Sequence, residues 1–501
     1  MEKRQYFGGA MISYIAIIFN VVLGLLYTPW MVGKIGQSSY ALYTIANSVI
    51  SIFMIDFGLS AAVSRFVAKY RAENEDSKSN KLLGSVTILY ILIDILIFII
   101  LMVIYLNIAT IYKGLSFDEL KVLKRLFVIV AIYSLLAFPF TPLGGIITAY
   151  EKFIHLKLCD FIYKILTVVF VIIALLHNYG VEAVVLASVF SGICAIILKL
   201  FIIYKKTPVR YCFTWVDKKL LKSIFTFSVW MTVSSIAQRC VFNIAPSVLA
   251  YTSSSKEVAL FAPANTLEGY FYMIAAAVNG MFLAKISKLI ADSKEHEIVN
   301  LMINVGKYLN YSHGIYIGWV LFVLEKILCR LWIGGRVCWL LGHVQYSCLF
   351  LTYYVFSQQI ANTTAIAQNK VKKISLAYVA MAFVCIALSL VLSKWIGALG
   401  SCVAIMLGYI ALFIISNVVY YKELNIDVFL FYKKVYMPFV FPCIGSVFLG
   451  YWLCNYVITI DGWSGLFVKG IMISAIYILA IISFMFNSNE RSKIIRLLRG
   501  V

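Results

Sequence analysis

The chain is expected to be an all-α integral membrane protein of about 14 transmembrane helices. Two parallel six-helix repeats would form two lobes around a central cavity, with two further helices at the C-terminus. Three observations predict this. First, 62% of the 501 residues are hydrophobic, 13% are charged and the mean hydropathy is +0.93, whereas soluble chains carry roughly 45–50% apolar and about 25% charged residues. Second, the apolar runs are about 20 residues or longer, which suits helices crossing a bilayer and not the segments of about ten that build a barrel. Third, stretches of sequence return at a nearly constant offset: Asn47 reads against Asn265, Lys69 against Lys285, and Gly180 against Gly397.

The apolar segments run over about 6–32, 40–64, 82–108, 123–149, 158–176, 181–204, 223–250, 258–284, 301–328, 343–367, 374–393, 398–420, 435–457 and 464–486. An even number of crossings puts both termini on one side. With that side cytoplasmic, twenty-seven Lys and Arg fall in inside loops and nine in outside loops, the bias that orients a membrane protein. The first segment follows Met1-Glu2-Lys3-Arg4 with no small-residue cleavage site behind it, so it reads as a retained anchor.

The repeat divides the chain into an N-terminal six-helix lobe (1–204), a cytoplasmic basic linker (205–222), a C-terminal six-helix lobe (223–420) and two additional helices with a basic cytoplasmic tail (421–501). Six crossings are even, so both copies insert the same way up and leave a cavity between the halves as the binding place. In the tail, Ile494, Ile495, Leu497 and Leu498 alternate with Arg491, Lys493, Arg496 and Arg499, as in a helix lying on the inner leaflet.

Composition also excludes function classes. The formal charge of +21 sits mostly in inside loops, so orientation and contact with anionic membrane lipids account for it, and no nucleic-acid partner is expected. Eleven scattered cysteines form no CxxC pair and no Cys/His cluster, so neither a metal nor a disulfide framework is expected. GxxxxGK[ST] and GxGxxG are both absent. The longest outside loops, 111–122 and 330–342, are too short and too poor in acids for a catalytic domain. The chain is therefore expected not to be an enzyme.

Each ionisable group at bilayer depth costs at least ~2.5 kcal/mol, so by default it faces protein or water. Arg65 either snorkels to the interface or closes a polar stripe; Asn47, eighteen residues and so about five whole turns earlier, is expected to share its face, with Ser51, Gly58 and Ala61 between. Asp56 lies half a turn out of phase with Arg65, so it needs another partner or a proton. The repeated helix presents Asn265, Gly269, Tyr272, Ala276 and Asn279, with Glu268 on its shoulder and no counterpart of Arg65. Arg239 is the positive charge deepest within a segment. It reads as a cavity cation or as half of an interhelical ion pair. Asp160 and Lys164, at i and i+4, are expected to neutralise each other, although Lys164 also counts among the cavity cations if it faces inward. The ninth segment carries Asn304, Lys307 and Tyr311 on one face, and the third carries Thr87, Tyr90 and Asp94.

Polar faces on so many helices point to a transporter cavity. Arg65, Arg239, Lys164 and Lys307 would bind an anionic, phosphate-bearing substrate, because the guanidinium fork suits phosphate oxygens. Asn47, Asn265, Asn279, Tyr272 and Tyr311 would add polar lining, and Asp56, Asp94 and Glu268 are the candidates for holding a coupling ion.

The run Ile35-Gly36-Gln37-Ser38-Ser39-Tyr40-Ala41-Leu42, followed by Asp56-Phe57-Gly58-Leu59-Ser60-Ala61-Ala62-Val63-Ser64-Arg65-Phe66-Val67-Ala68, resembles bacterial lipid-linked oligosaccharide flippases of the multidrug/oligosaccharidyl-lipid/polysaccharide exporter superfamily. Gln368-Asn369-Lys370 and Gly397-Ala398-Leu399-Gly400-Ser401 are similar too. The resemblance implies twelve core helices, often with two more, moving undecaprenyl-diphosphate-linked repeat units of O-antigen or capsule type across the bacterial cytoplasmic membrane by alternating access. It implies a partner polymerase and other assembly proteins, no cofactor, and H+ or Na+ coupling. Relatives often carry an acid just before the arginine of the seventh segment; here Gln238 stands there, which leaves coupling to Asp56, Asp94 or Glu268. A cation-coupled multidrug exporter is the alternative within the superfamily, and a membrane polymerase or glycosyltransferase is the alternative outside it.

Overall fold

In the computed structural model the described residues are 2–54, 59–210, 218–262, 296–319, 359–368, 370–453 and 462–484, with single positions at 265, 266, 268, 269, 286, 289, 290, 294 and 456. Every regular element among them is helical. In chain order these are α1 (Glu2–Ile35), α2 (Gln37–Phe53), α3 (Leu59–Ala72), α4 (Asp76–Leu106), α5 (Ile108–Ile111), α6 (Phe117–Ala137), α7 (Leu143–Ala149), α8 (Phe153–Leu176), α9 (Val181–Lys206), α10 (Lys218–Asn243) and α11 (Ala245–Thr252). They are followed by α12 (His296–Trp319), α13 (Gln359–Ala367), α14 (Val371–Ile396), α15 (Ala398–Leu424), α16 (Val428–Val435), α17 (Met437–Trp452) and α18 (Gly462–Phe484). A short 3₁₀ turn, Phe138–Phe140, joins α6 to α7.

Eight helical stretches among the described residues are long and apolar enough to cross a membrane. Their surfaces carry the mark of lipid. On α4, Leu83, Val86, Tyr90, Ile97 and Leu101 are buried, while Leu92, Ile95, Leu96, Ile99, Val103 and Leu106 are exposed. In water so many exposed aliphatic groups would be costly; in a bilayer they contact acyl chains. The protein is a multi-pass, all-α membrane protein.

Several apolar segments are broken helices. The segment 40–64, read as one crossing, is two helices: α2 ends at Phe53, Met54 is not helical, and α3 begins at Leu59. Aspartate and glycine, present here as Asp56 and Gly58, are weak helix formers. The segment 123–149 bends at Phe138-Pro139-Phe140-Thr141-Pro142, where two prolines lack the N–H a helix needs. Thr141 restores part of the loss by donating from its N–H (3.0 Å) and its hydroxyl (2.7 Å) to Phe138 O. The segment 223–250 is interrupted at Ile244, with Pro246 starting α11.

The chain groups into two compact units: residues 1–266 with 378–408, and residues 267–377 with 409–501. In the first, α8 packs along α9 and α1, α3 along α7, and α2 along α6. Arg210 fastens the end of α9 by donating to Thr207 O (3.1 Å), Val209 O (2.7 Å) and Tyr204 O (3.2 Å), and its own N–H donates to Asn80 Oδ1 at 2.6 Å. In the second unit, α12 packs against α16, α17 and α18. There Asp427 caps α16 by accepting from Leu430 N at 2.8 Å, Glu423 pairs with Lys373, and Lys370 Nζ donates to Glu423 O at 2.7 Å.

Candidate functional site

Seven of the sequence-selected polar groups can be followed onto helix faces, each within its own unit. On α10 of the first unit, Thr232, Ser235, Arg239 and Asn243 recur at helical spacing, opposite the buried Ser234, Ala237 and Val241. Arg239 is exposed on this stripe, and Asn243 Nδ2 donates to Arg239 O at 3.1 Å. Among the described residues no carboxylate pairs with Arg239. An exposed guanidinium without a carboxylate partner is free to meet water or a ligand.

Lys164 on α8 is exposed as well. It lies on the side of the helix that carries the buried Val168, Val171 and Leu175, away from the exposed Ile162, Val169 and Ile173. Its ammonium therefore sits on the protein side of the helix. The expected Asp160–Lys164 pair is not formed: Asp160 instead accepts from Lys199 Nζ of α9 at 2.9 Å. Packing of α8 on α9 brings Lys199 to Asp160 from the neighbouring helix, and among the described residues Lys164 has no ion pair. We expect Lys199→Ala to lower the membrane level of the protein and Asp160→Asn on that background to restore it. A double-mutant cycle in thermal stability should show a coupling of about 0.5–1 kcal/mol, since the pair is partly exposed.

Asn47, half-buried on α2, donates from Nδ2 to Tyr43 O at 3.1 Å. The Tyr43 hydroxyl is hydrogen-bonded to the side chains of Asn47 and of Ser188 on α9. The shared face of Asn47 and Arg65 is corrected by the break after Phe53, because the two residues belong to different helices and five continuous turns do not connect them. Arg65 lies in α3 and Tyr311 in α12, with side chains outside the described set; Asp56, Tyr272 and Asn279 lie outside the described residues.

In the second unit, Lys307 on α12 is half-buried beside the exposed Asn300 and Asn304, while Leu301, Met302, Ile303 and Val305 of the same helix are buried. A polar accessible stripe beside buried positions repeats the pattern of α10. Asn265 is half-buried and Glu268 is buried, each engaged by neighbouring groups. Asp94 lies on the buried stripe of α4 with Tyr90, Ile97 and Leu101, and its Oδ1 is buried without a hydrogen-bond partner among the described residues. No cluster of three or more potential metal ligands occurs among the described residues.

Sequence reasoning missed Lys199, Ser188 and the polar groups around Glu119. Only Ser116-Phe117-Asp118-Glu119 carried a readable signal, the Ser-x-x-Glu of a capping box; both of its bonds form, Ser116 N to Glu119 Oε2 (2.9 Å) and Glu119 N to Ser116 Oγ (3.4 Å).

The fold is shared with solved membrane transporters. The lipid II flippase MurJ in an inward closed conformation is similar at a TM-score of 0.68 and 15% identity, over 93% of this chain and 98% of that one. An inward-facing multidrug resistance MATE family transporter of the MOP superfamily matches at 0.64 and 12%, over 84% and 100%. A MOP superfamily transporter from Pyrococcus furiosus matches at 0.63 and 11%, over 85% and 96%. No curated protein matches by sequence. Residues 8–283, more than half of the chain, match the family described as polysaccharide biosynthesis protein, and the chain belongs to that family.

Proposed function

We propose that the protein is a flippase that carries undecaprenyl-diphosphate-linked oligosaccharide repeat units from the inner to the outer leaflet of the bacterial cytoplasmic membrane by alternating access, for surface polysaccharide synthesis. The observation that carries the reading is that Arg239 and Lys164 in the first unit and Lys307 in the second are accessible cations with no ion pair among the described residues, Lys164 within a helix apolar enough to cross a membrane. Unpaired cations in a low-dielectric site attract a diphosphate strongly, and charge-assisted hydrogen bonds to phosphate oxygens are among the strongest available. Arg65 joins this set, and Asn47, Asn265, Asn279, Tyr272 and Tyr311 offer hydrogen bonds to sugar hydroxyls. The prenyl tail stays in lipid, so only the head group needs the polar path.

On this reading both termini are cytoplasmic, the six-helix lobes 1–204 and 223–420 move against each other about the linker, and 421–501 lies outside the repeat. Asp94, Asp56 or Glu268 takes the coupling H+ or Na+, and a polymerase and other assembly proteins receive the product. The protein performs no covalent chemistry.

The test is reconstitution in liposomes with a fluorescent undecaprenyl-diphosphate oligosaccharide. Movement between leaflets that depends on the protein and is absent for a cationic dye supports the reading. Transport of the dye without the lipid-linked sugar identifies a multidrug exporter instead.

A further inference from the structure

The segment Tyr112 to Glu119 belongs to the first repeat by sequence, yet it bonds to parts of the second repeat within the same compact unit. Gly114 N donates to Ala250 O at 2.9 Å, and the Tyr112 and Ser247 hydroxyls meet at 3.3 Å. Lys113 Nζ sits 6.0 Å from the centre of the Tyr251 ring. One carboxylate gathers three chain segments: Glu119 accepts from Ser38 Oγ in the first turn of α2, from Ser116 N, and from the Ser255 side chain. The second repeat is braced behind this contact. Ser253 Oγ donates to Ser393 O at 2.8 Å, and Ala398 N donates to Glu257 Oε2 at 2.6 Å beside Gly397, whose φ of +57° suits a residue without a Cβ.

Gly114 is the closest point of approach. A Cβ built there would lie 2.3 Å from Ser253 O and 2.8 Å from Ala250 O, and both atoms are backbone that cannot swing aside. Any side chain at 114 would therefore force the two segments apart and break the Gly114–Ala250 bond.

On the topology of the flippase reading, on which this inference rests, all of these residues lie at the outer ends of their helices. We propose that Tyr112–Glu119 is the outer latch of the transport cycle, closed in this structure, with Gly114 as its fulcrum and Glu119 as its bolt. Release of substrate outward requires Glu119 to leave Ser255 and Gly114 to leave Ala250. No side chain of the latch needs to touch substrate.

The test reads conformation and not transport. In a variant whose native cysteines are replaced, Ser235→Cys on the polar stripe of α10 is labelled with an impermeant maleimide added outside intact cells. Gly114→Val should speed that labelling roughly tenfold, the shift expected when a two-state equilibrium loses one backbone hydrogen bond and gains an overlap. Glu119→Ala should speed it by a smaller factor in the same direction. Cross-linking Glu119→Cys to Ser255→Cys with a short thiosulfonate should suppress labelling and stop flipping. Should Gly114→Val not reach the membrane, Glu119→Ala carries the same expectation.

Unchanged labelling at normal membrane level, or flipping by the cross-linked protein, overturns the latch. Lys113→Cys, exposed in this structure, separates the two readings. If it is labelled only in inverted vesicles, the assumed orientation is wrong, and the same Gly114 comparison is then made from that face.

Discussion

Replacing Arg239 by Ala is expected to reduce surface polysaccharide to about 10% of wild type or less while the protein stays in the membrane at normal level. Arg239 is exposed, unpaired among the described residues and aligned with Thr232, Ser235 and Asn243, so its removal leaves no stranded acid there and little reason to unfold. What disappears is a cation for the diphosphate. A hydrogen bond to a charged group contributes about 1.5–3 kcal/mol, hence about 10- to 150-fold in transport rate. Arg239→Lys keeps the charge but loses the two-pronged geometry and should fall between. Arg65→Ala is expected to act in the same direction. Immunoblotting of membranes alongside polysaccharide staining checks both quantities. Wild-type polysaccharide from a well-expressed Arg65→Ala/Arg239→Ala double variant would exclude the flippase assignment of these cations.

The second large effect is expected at Asp94, and it has an unusual signature. Its Oδ1 is buried without a partner among the described residues, on a stripe otherwise filled by Tyr90, Ile97 and Leu101. A buried unsatisfied polar atom costs about 1–3 kcal/mol, and more when charged. Asp94→Asn removes the charge at nearly constant volume, so thermal stability in detergent should rise. If Asp94 takes the coupling ion, transport driven by an H+ or Na+ gradient should meanwhile fall at least about tenfold, because Asn cannot exchange a proton or neutralise a cation. Greater stability with lost coupling marks a residue kept for function at a cost in stability. Greater stability with intact coupling would transfer the role to Glu268 or Asp56.

The membrane class, the family and many approximate helix bounds were legible in the sequence, because each rests on hydropathy and motifs counted along one stretch. The expectation for α4, 82–108 against Asp76–Leu106, shows how well that works for an unbroken helix. The same counting fails at 40–64 and 123–149, since a window average does not register Asp56 and Gly58, or Pro139 and Pro142, inside an apolar run. The break after Phe53 then removed the geometric argument that joined Asn47 to Arg65.

Which ionisable groups stand free was less legible. A spacing of four residues made Lys164 the natural partner of Asp160, and only the packing of α8 on α9 supplied the better one. Periodicity grouped Lys307 with Asn304 and Asp94 with Tyr90, but it could not say that Arg239 and Lys307 are accessible and that an oxygen of Asp94 is buried without a partner among the described residues.

By itself, then, the sequence determined that this is an all-α membrane protein of the polysaccharide family with cations set into apolar helices, because hydropathy, spacing and motif are properties of one strand of chain. The tertiary structure alone decided the partners: Asp160 with Lys199, Glu119 with Ser38 and Ser255, Gly114 against Ala250. The physical reason is that a contact between residues far apart in the chain depends on how helices pack, and equal hydropathy permits many packings.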